Sequence, residues 1–176
     1  MNGVFIKAIL VVIMAFQLIS CGGASPRAGE KTTSAQILRA VNSERGKRGL
    51  RPLVGDEGLR RIAESHAEFL LREVHPAKRR PTREIAHAQF EKRSQRAIKE
   101  GYQVLSEVVM IGYAGDLSAV PQRTIRGWLN SPAHRRAILQ GDRKVMGIET
   151  RLPADGRYFV VGLLSNGKEK GRGRAR

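Results

Sequence analysis

The stretch Trp128-Leu129-Asn130-Ser131-Pro132-Ala133-His134-Arg135-Arg136-Ala137-Ile138-Leu139 carries the most specific pattern in this chain. Serine is favoured at a helix N-cap, and Pro132 would occupy the first helical position, where its missing N–H costs nothing. The pattern therefore predicts two short helices that meet at Ser131, the first of them opening at Pro121. It also places His134 in the first turn of the second helix.

Strand patterns lie on both sides of this stretch. Val145–Leu152 and Tyr158–Leu164 flank the short glycine-containing turn Pro153–Gly156, which predicts a β-hairpin. Upstream, Val104–Gly112 is rich in valine and isoleucine and predicts a further strand.

Longer helices are predicted before these strands. The first is expected to start at Thr33 or Ser34, the second to follow the cap candidate Asp56, and the third to run from about Ile85 to Lys99. Helices precede strands without a regular β-α-β alternation. This order favours an α+β layered sandwich over a Rossmann-like fold.

Length and composition exclude several classes of protein. The chain has 176 residues, 41% hydrophobic and 27% charged, which suits one folded domain. A single cysteine excludes an intrachain disulfide and a four-cysteine metal site. The formal net charge of +16 points to an anionic partner, whose nature depends on where the protein resides.

The N-terminus predicts export. Ala8–Ser20 is almost wholly apolar and has the length of a signal-peptide core, since a spanning helix needs about 20 such residues. Leu18-Ile19-Ser20-Cys21 resembles a bacterial lipobox, which implies acylation of Cys21 and cleavage before it. No aspartate follows the cysteine, a pattern typical of the outer membrane in Gram-negative lipoproteins. The alternative is a plain signal peptide or an uncleaved anchor in which Cys21 is incidental.

This interpretation divides the chain into four parts: a lipoprotein signal peptide (1–20), a flexible tether (21–33), a domain (34–165) and a basic disordered tail (166–176). Export moves the positive charge outside the cytoplasm and disfavours nucleic acid as the partner.

Taken with His87, Glu107 and the final hairpin, residues 128–139 resemble the bacterial cysteine-poor branch of the CAP superfamily. That superfamily comprises the cysteine-rich secretory, antigen 5 and pathogenesis-related proteins, with an SCP-like extracellular domain. The resemblance runs from about Ile37 to Leu164 and includes Asn42-Ser43-Glu44-Arg45, Ala63-Glu64-Ser65-His66-Ala67-Glu68, Phe90-Glu91-Lys92-Arg93 and Gly147-Ile148-Glu149. It implies a three-layer α-β-α sandwich with a mainly antiparallel sheet.

The resemblance also implies a cleft lined by two histidines and two acidic residues. His134 and Glu107 match two of these positions, and His87 is the candidate for the first histidine, with His75 as its rival. The second acid is absent, because Ser131 stands where other members carry glutamate. The family's Gly-Glu-Asn strand motif has become Ser106-Glu107-Val108.

Other residues of the motif have structural as well as functional interpretations. Trp128 is expected mainly in the core, Ser131 as a helix cap, and Arg135 as a partner of either the strands or an anionic ligand. His66, on the apolar face of the second helix, is interpreted as a core histidine.

Two histidines and a carboxylate permit two kinds of chemistry. His87, His134 and Glu107 could hold a divalent metal such as zinc, or one histidine could act as a general base oriented by Glu107. A cysteine nucleophile is excluded because the only cysteine is at the lipid site, and no Gly-x-Ser-x-Gly motif occurs.

The leading hypothesis is a lipid-anchored, non-enzymatic binding module of the cell envelope that uses the His/Glu cleft and a basic surface, with a lipid, an anionic polymer or a protein as ligand. One alternative is a hydrolase of peptides or cell wall that uses His87, Glu107 and His134. Another is a charge-driven binder of envelope polyanions. Its candidate cations, which could equally form solvated segments, are Lys78, Arg79, Arg80, Arg83, Lys168, Lys170, Arg172, Arg174 and Arg176.

Overall fold

The computed structural model describes residues 26–76 and 82–169. The predicted signal peptide, Cys21 and seven of the nine candidate polyanion-binding cations lie outside these ranges: Lys78, Arg79, Arg80, Lys170, Arg172, Arg174 and Arg176. Within the described ranges, every helix is too short or too polar to cross a lipid bilayer.

The helices are α1 (Pro26–Gly46), α2 (Glu57–Glu73), α3 (Arg83–Ala86), α4 (Phe90–Lys99), α5 (Val120–Asn130) and α6 (Pro132–Leu139). The strands are β1 (Val54–Gly55), β2 (Leu105–Tyr113), β3 (Val145–Arg151) and β4 (Arg157–Ser165). Most boundaries fall within one or two residues of those expected from the sequence.

The sheet has the strand order β1-β3-β4-β2. β4 pairs antiparallel with both β3 and β2, whereas the two-residue β1 pairs parallel with β3. Helices α1, α5 and α6 cover one face of the sheet, and α2 and α4 cover the other. The three-layer α-β-α prediction is confirmed, with one short parallel pair in an otherwise antiparallel sheet.

Alternate residues of β4 build a separate core on each face of the sheet. Phe159, Val161 and Leu163 pack against the apolar stripe of α2, while Val160 and Leu164 pack against α1, α5 and α6. The buried residues of both cores fall between Ile37 and Leu164, so this part of the chain contains both cores whole.

The expected tether was too long, because α1 begins at Pro26 and residues 26–33 are helical. Proline is suited to a first helical turn. The early part of α1 is held by the hairpin: Glu30 accepts a hydrogen bond from the Leu152 N–H (3.1 Å), and the Ser34 and Thr150 hydroxyls lie 2.8 Å apart.

The predicted third helix, 85–99, is broken into α3 and α4. Residues 87–89 form a turn, and Gln89 adopts a left-handed conformation with φ of 60°. Because this segment contains no glycine or proline, no local signal in the sequence indicates the break.

The first residues of the predicted disordered tail are ordered. Gly167 accepts a hydrogen bond from the Gln103 N–H at 3.0 Å, and the Glu169 N–H donates to Gly101 at 2.9 Å. The Lys168 ammonium lies 4.7 Å from the centre of the Tyr102 ring, a cation–π contact.

Candidate functional site

A cleft of about 740 Å³ opens along β2, the edge strand of the sheet. The break between α3 and α4 forms one wall, and the start of α6 forms the other. Its lining includes Arg83, His87, Phe90, Glu107, Ser131 and His134. The structure thus brings together the three residues that the sequence suggested for the cleft.

Glu107 is the most enclosed group of the cleft, with 2% of its side chain exposed. Arg93 donates to both carboxylate oxygens, from Nε to Oε2 at 2.7 Å and from Nη2 to Oε1 at 2.9 Å. His87 Nδ1 lies 2.9 Å from Oε1. Burial raises the pKa of Glu107, but the hydrogen bonds from His87 and Arg93 and the Arg93 charge outweigh burial and leave the pKa below its usual value.

Arg93 is the site residue that sequence reasoning missed. In the sequence it belongs only to the Phe90–Arg93 resemblance, yet its side chain is 8% exposed and binds the Glu107 carboxylate. It also donates from Nη1 to the Ala88 carbonyl at 2.7 Å, inside the turn between α3 and α4. A buried glutamate requires a cationic partner, so the position of Glu107 within an apolar predicted strand is the feature of the sequence that indicates a nearby arginine or lysine.

The hydrogen bond to Glu107 fixes the tautomer of His87. An ionised carboxylate can only accept, so Nδ1 carries the proton and Nε2 of a neutral ring keeps its lone pair. The His87 and His134 ring centres are 5.8 Å apart, and the rings are tilted by 46°. Burial, followed by repulsion from His87 and Arg83, lowers the pKa of His134.

The broken helix explains why His87 reaches Glu107. His87 caps the end of α3, and its N–H bonds to the Arg83 carbonyl at 3.0 Å. The left-handed Gln89 then redirects the chain into α4, where Arg93 faces the same carboxylate. A continuous helix would place residues 87 and 93 about 120° apart around its axis, since each residue turns by about 100°.

The remaining motif residues have different positions. Trp128 is fully buried in the core and does not line the cleft. Ser131 stands at the N-cap of α6 and lines the cleft, but its side chain makes no capping hydrogen bond, contrary to the expected role of its hydroxyl. Arg135 is exposed and outside the lining, so it supports the site only through its N–H bond to the Ser131 carbonyl at 2.8 Å.

The other two histidines lie away from the cleft. His75, the rival candidate, is 3.0 Å from Asp155 Oδ2 beside the hairpin turn. His66 is 1% exposed, stacks on Phe69 and reaches the Ala86 carbonyl at 2.7 Å. Burial lowers the pKa of His66. His87 is therefore the histidine that faces His134.

The donor set does not fit a resident zinc ion. Both Glu107 oxygens are occupied by Arg93 and His87, which leaves two imidazoles as ligands, whereas protein zinc sites supply three or four. No group of three or more His, Cys, Asp or Glu side chains is placed to share a metal in the part of the chain that the structure describes.

Comparison with known proteins identifies relatives of the domain. The model of the CAP family, described as the cysteine-rich secretory protein family, matches residues 38–164. An outer surface protein from Borrelia burgdorferi has a similar structure, with a TM-score of 0.62, 20% identity and coverage of 79% of this chain and 95% of that one.

Two longer bacterial proteins contain a similar domain. For an extracellular protein with an SCP domain from Bacillus anthracis, the TM-score is 0.57 at 21% identity, covering 80% of this chain and 42% of that one. For a cysteine-rich secretory protein from Staphylococcus aureus, the TM-score is 0.53 at 21% identity, covering 78% and 39%. The present chain thus spans about two fifths of these two proteins. No curated protein matches the sequence.

Proposed function

Since this chain belongs to the CAP family of cysteine-rich secretory proteins, we propose that it is an exported binding module, held in the cell envelope by a lipid on Cys21. The cleft of His87, Glu107 and His134 binds an extracytoplasmic ligand without chemical turnover. The basic surface of the domain assists its placement in the envelope.

The pairing of Glu107 and the absence of a nucleophile from the described part of the cleft carry this proposal. The Glu107 side chain is 2% exposed and accepts hydrogen bonds from Arg93 and His87, so it orients His87 and is not presented to a substrate as a base. Within residues 26–76 and 82–169, no hydroxyl or thiol donates a hydrogen bond to the Nε2 lone pair of His87. Ser131 replaces the second acid, and no base lies within hydrogen-bond distance of its hydroxyl among the described residues. The arrangement therefore supports binding over hydrolysis.

The lining of the cleft indicates the chemistry of the ligand. The Arg83 guanidinium, the Ser131 hydroxyl and the His134 ring can donate hydrogen bonds, whereas the Glu107 carboxylate in the lining is already paired. Leu105, Phe90 and Ala137 add apolar surface. These groups suit an amphiphile with an anionic headgroup and an apolar portion.

Restoring the missing acid tests the cleft. Ser131→Glu should weaken binding of a short-chain phosphatidic acid at least tenfold, since the new carboxylate would face the anionic headgroup. Binding is measured by NMR titration that follows the His87 and His134 ring signals, with His75→Gln as a matched control outside the cleft. The proposal is wrong if Ser131→Glu binds as tightly as the parent, or if a neutral lipid of equal chain length binds equally well.

The anchor requires a separate measurement. The lipobox-like Leu18–Cys21, the apolar leader and the secretory character of the family support lipidation. Mass spectrometry of the membrane fraction should show a diacylglycerol-modified Cys21, and Cys21→Ala should lose that mass. An identical mature mass in the two proteins would refute the anchor and leave the cleft proposal standing.

A further inference from the structure

Three helices of one layer each direct an arginine away from the core. Arg39, Arg126 and Arg136 stand two positions before the fully buried Val41, Trp128 and Ile138, on α1, α5 and α6 respectively. Two residues correspond to about 200° around a helix, so all three side chains point to the outside of the layer.

Arg123 lies one turn before Arg126 on the same exposed side of α5. We call these four residues, Arg39, Arg123, Arg126 and Arg136, the arginine face. None of them forms a hydrogen bond or an ion pair with another residue that the structure describes. Their charges therefore remain available to a partner outside the chain.

The helices α1, α5 and α6 contain no exposed, unpaired carboxylate that could neutralise these arginines. α5 and α6 contain no acidic residue, and α1 contains only Glu30 and Glu44. Glu30 is buried beside Arg151, whereas Glu44 is paired with Lys47 at 2.6 Å and Arg48 at 2.8 Å.

The opposite layer has a different charge pattern. α2 and α4 together contain five acids and seven bases. Several of the bases are paired, for example Arg60 with Glu57 at 2.7 Å and Arg96 with Glu100 at 3.1 Å. α1, α5 and α6 contain eight bases and only two acids, a formal charge of +6 against +2 for α2 and α4. Both layers carry unpaired cations, but the excess of positive charge is larger on the layer of α1, α5 and α6.

We propose that the arginine face lies against the anionic surface of a lipid bilayer. α1 begins at Pro26, five Cα–Cα steps after Cys21, and an extended chain spans at most about 3.6 Å per step. If the proposed anchor holds, the start of α1 stays within about 18 Å of the membrane, in the same layer as the arginines. The tether expected from the sequence, residues 21–33, would have allowed more than twice this distance.

The test uses a chain that starts at Gly22, which contains both cores whole and has no cysteine to acylate. Co-sedimentation is measured with vesicles of phosphatidylcholine containing about 30% phosphatidylglycerol, a strongly anionic surface. Arg39→Gln, Arg126→Gln and Arg136→Gln are combined in one variant. The matched control combines Arg72→Gln, Lys92→Gln and Lys99→Gln, which removes the same charge from exposed, unpaired positions of α2 and α4.

We expect affinity to fall at least tenfold in the arginine-face variant and less than threefold in the control, since each cation held at the membrane surface contributes about a factor of five. Thermal unfolding of each variant verifies that the fold persists. Equal loss in both variants would show that net charge alone binds the bilayer. That result, or equal binding of the parent to pure phosphatidylcholine, would overturn the proposal. Because no acyl chain is present, either result is independent of the Cys21 anchor and of the cleft.

Discussion

The buried ion pair between Arg93 and Glu107 positions side chains that line the cleft. Both side chains are at least nine-tenths buried, and each compensates the charge of the other in a place that water scarcely reaches. The carboxylate also orients His87, so one buried residue determines the position of a ring that is itself 26% exposed. The site therefore depends on a group that a ligand does not need to touch.

Glu107→Gln should lower the free energy of unfolding by about 3–5 kcal/mol, because it leaves the Arg93 charge buried without a counter-ion. The double variant Glu107→Gln/Arg93→Met should recover part of this loss. Urea denaturation provides the measurement. The exposed pair Arg96–Glu100 is the control, and Glu100→Gln should cost less than about 1 kcal/mol. Equal costs for the two single variants would contradict a stabilising role of the buried pair.

At the residue scale, the sequence predicted that Glu107 and His134 lie in the cleft, but it did not predict the contact of Arg93 with Glu107. The resemblance to the CAP superfamily indicated the first two through the motifs around them. The role of Arg93 depends on the turn at 87–89, in which Gln89 is left-handed and the Ala88 carbonyl accepts a hydrogen bond from Arg93. Single-sequence reasoning follows helical periodicity, and the spacing of Ala86, Phe90 and Ala97 fitted one continuous helix.

At the element scale, α2 lies in close contact with the sheet at Gly147 of β3. A Cβ atom at this position would overlap the backbone of Leu59 and Arg60. The absence of a side chain allows α2 to lie directly on the hairpin, and this contact closes one of the two cores.

Gly147→Ala should therefore destabilise the domain by about 1–3 kcal/mol, as overpacking a core generally does. Gly29→Ala is the matched control. Gly29 lies within α1, and a methyl group added at its Cα would contact no neighbouring residue within 4 Å. Alanine there should therefore stabilise the helix by about 0.5–1 kcal/mol. Thermal unfolding should thus show melting temperatures that shift in opposite directions. A melting temperature for Gly147→Ala at or above that of the parent would contradict the close approach.

At the scale of the whole molecule, stability should depend on pH in two stages. The pKa values of His66 and His134 are lowered in the fold, so the unfolded chain binds more protons just below pH 6.5, and the free energy of unfolding falls as the pH drops through that range. The pKa of Glu107 is also lowered, so its contribution is lost only below about pH 4.5.

Urea denaturation between about pH 8 and pH 5 should show this first decline, and His134→Gln should make it shallower without altering the loss below about pH 4.5. If His134→Gln retains the full slope of the parent across this range, the depressed pKa of His134 is not a source of the pH dependence.

The order of strands in the sheet has a consequence for biogenesis. The central strands β3 and β4 are the last two elements that the structure describes, and both cores are built on β4. The residues before Val145 consequently have no sheet on which to bury their apolar faces until the final hairpin is available. For a chain that crosses a membrane before it folds, this arrangement delays compaction of the domain until the hairpin of β3 and β4 has crossed. It also makes loss of the last strand equivalent to loss of the domain.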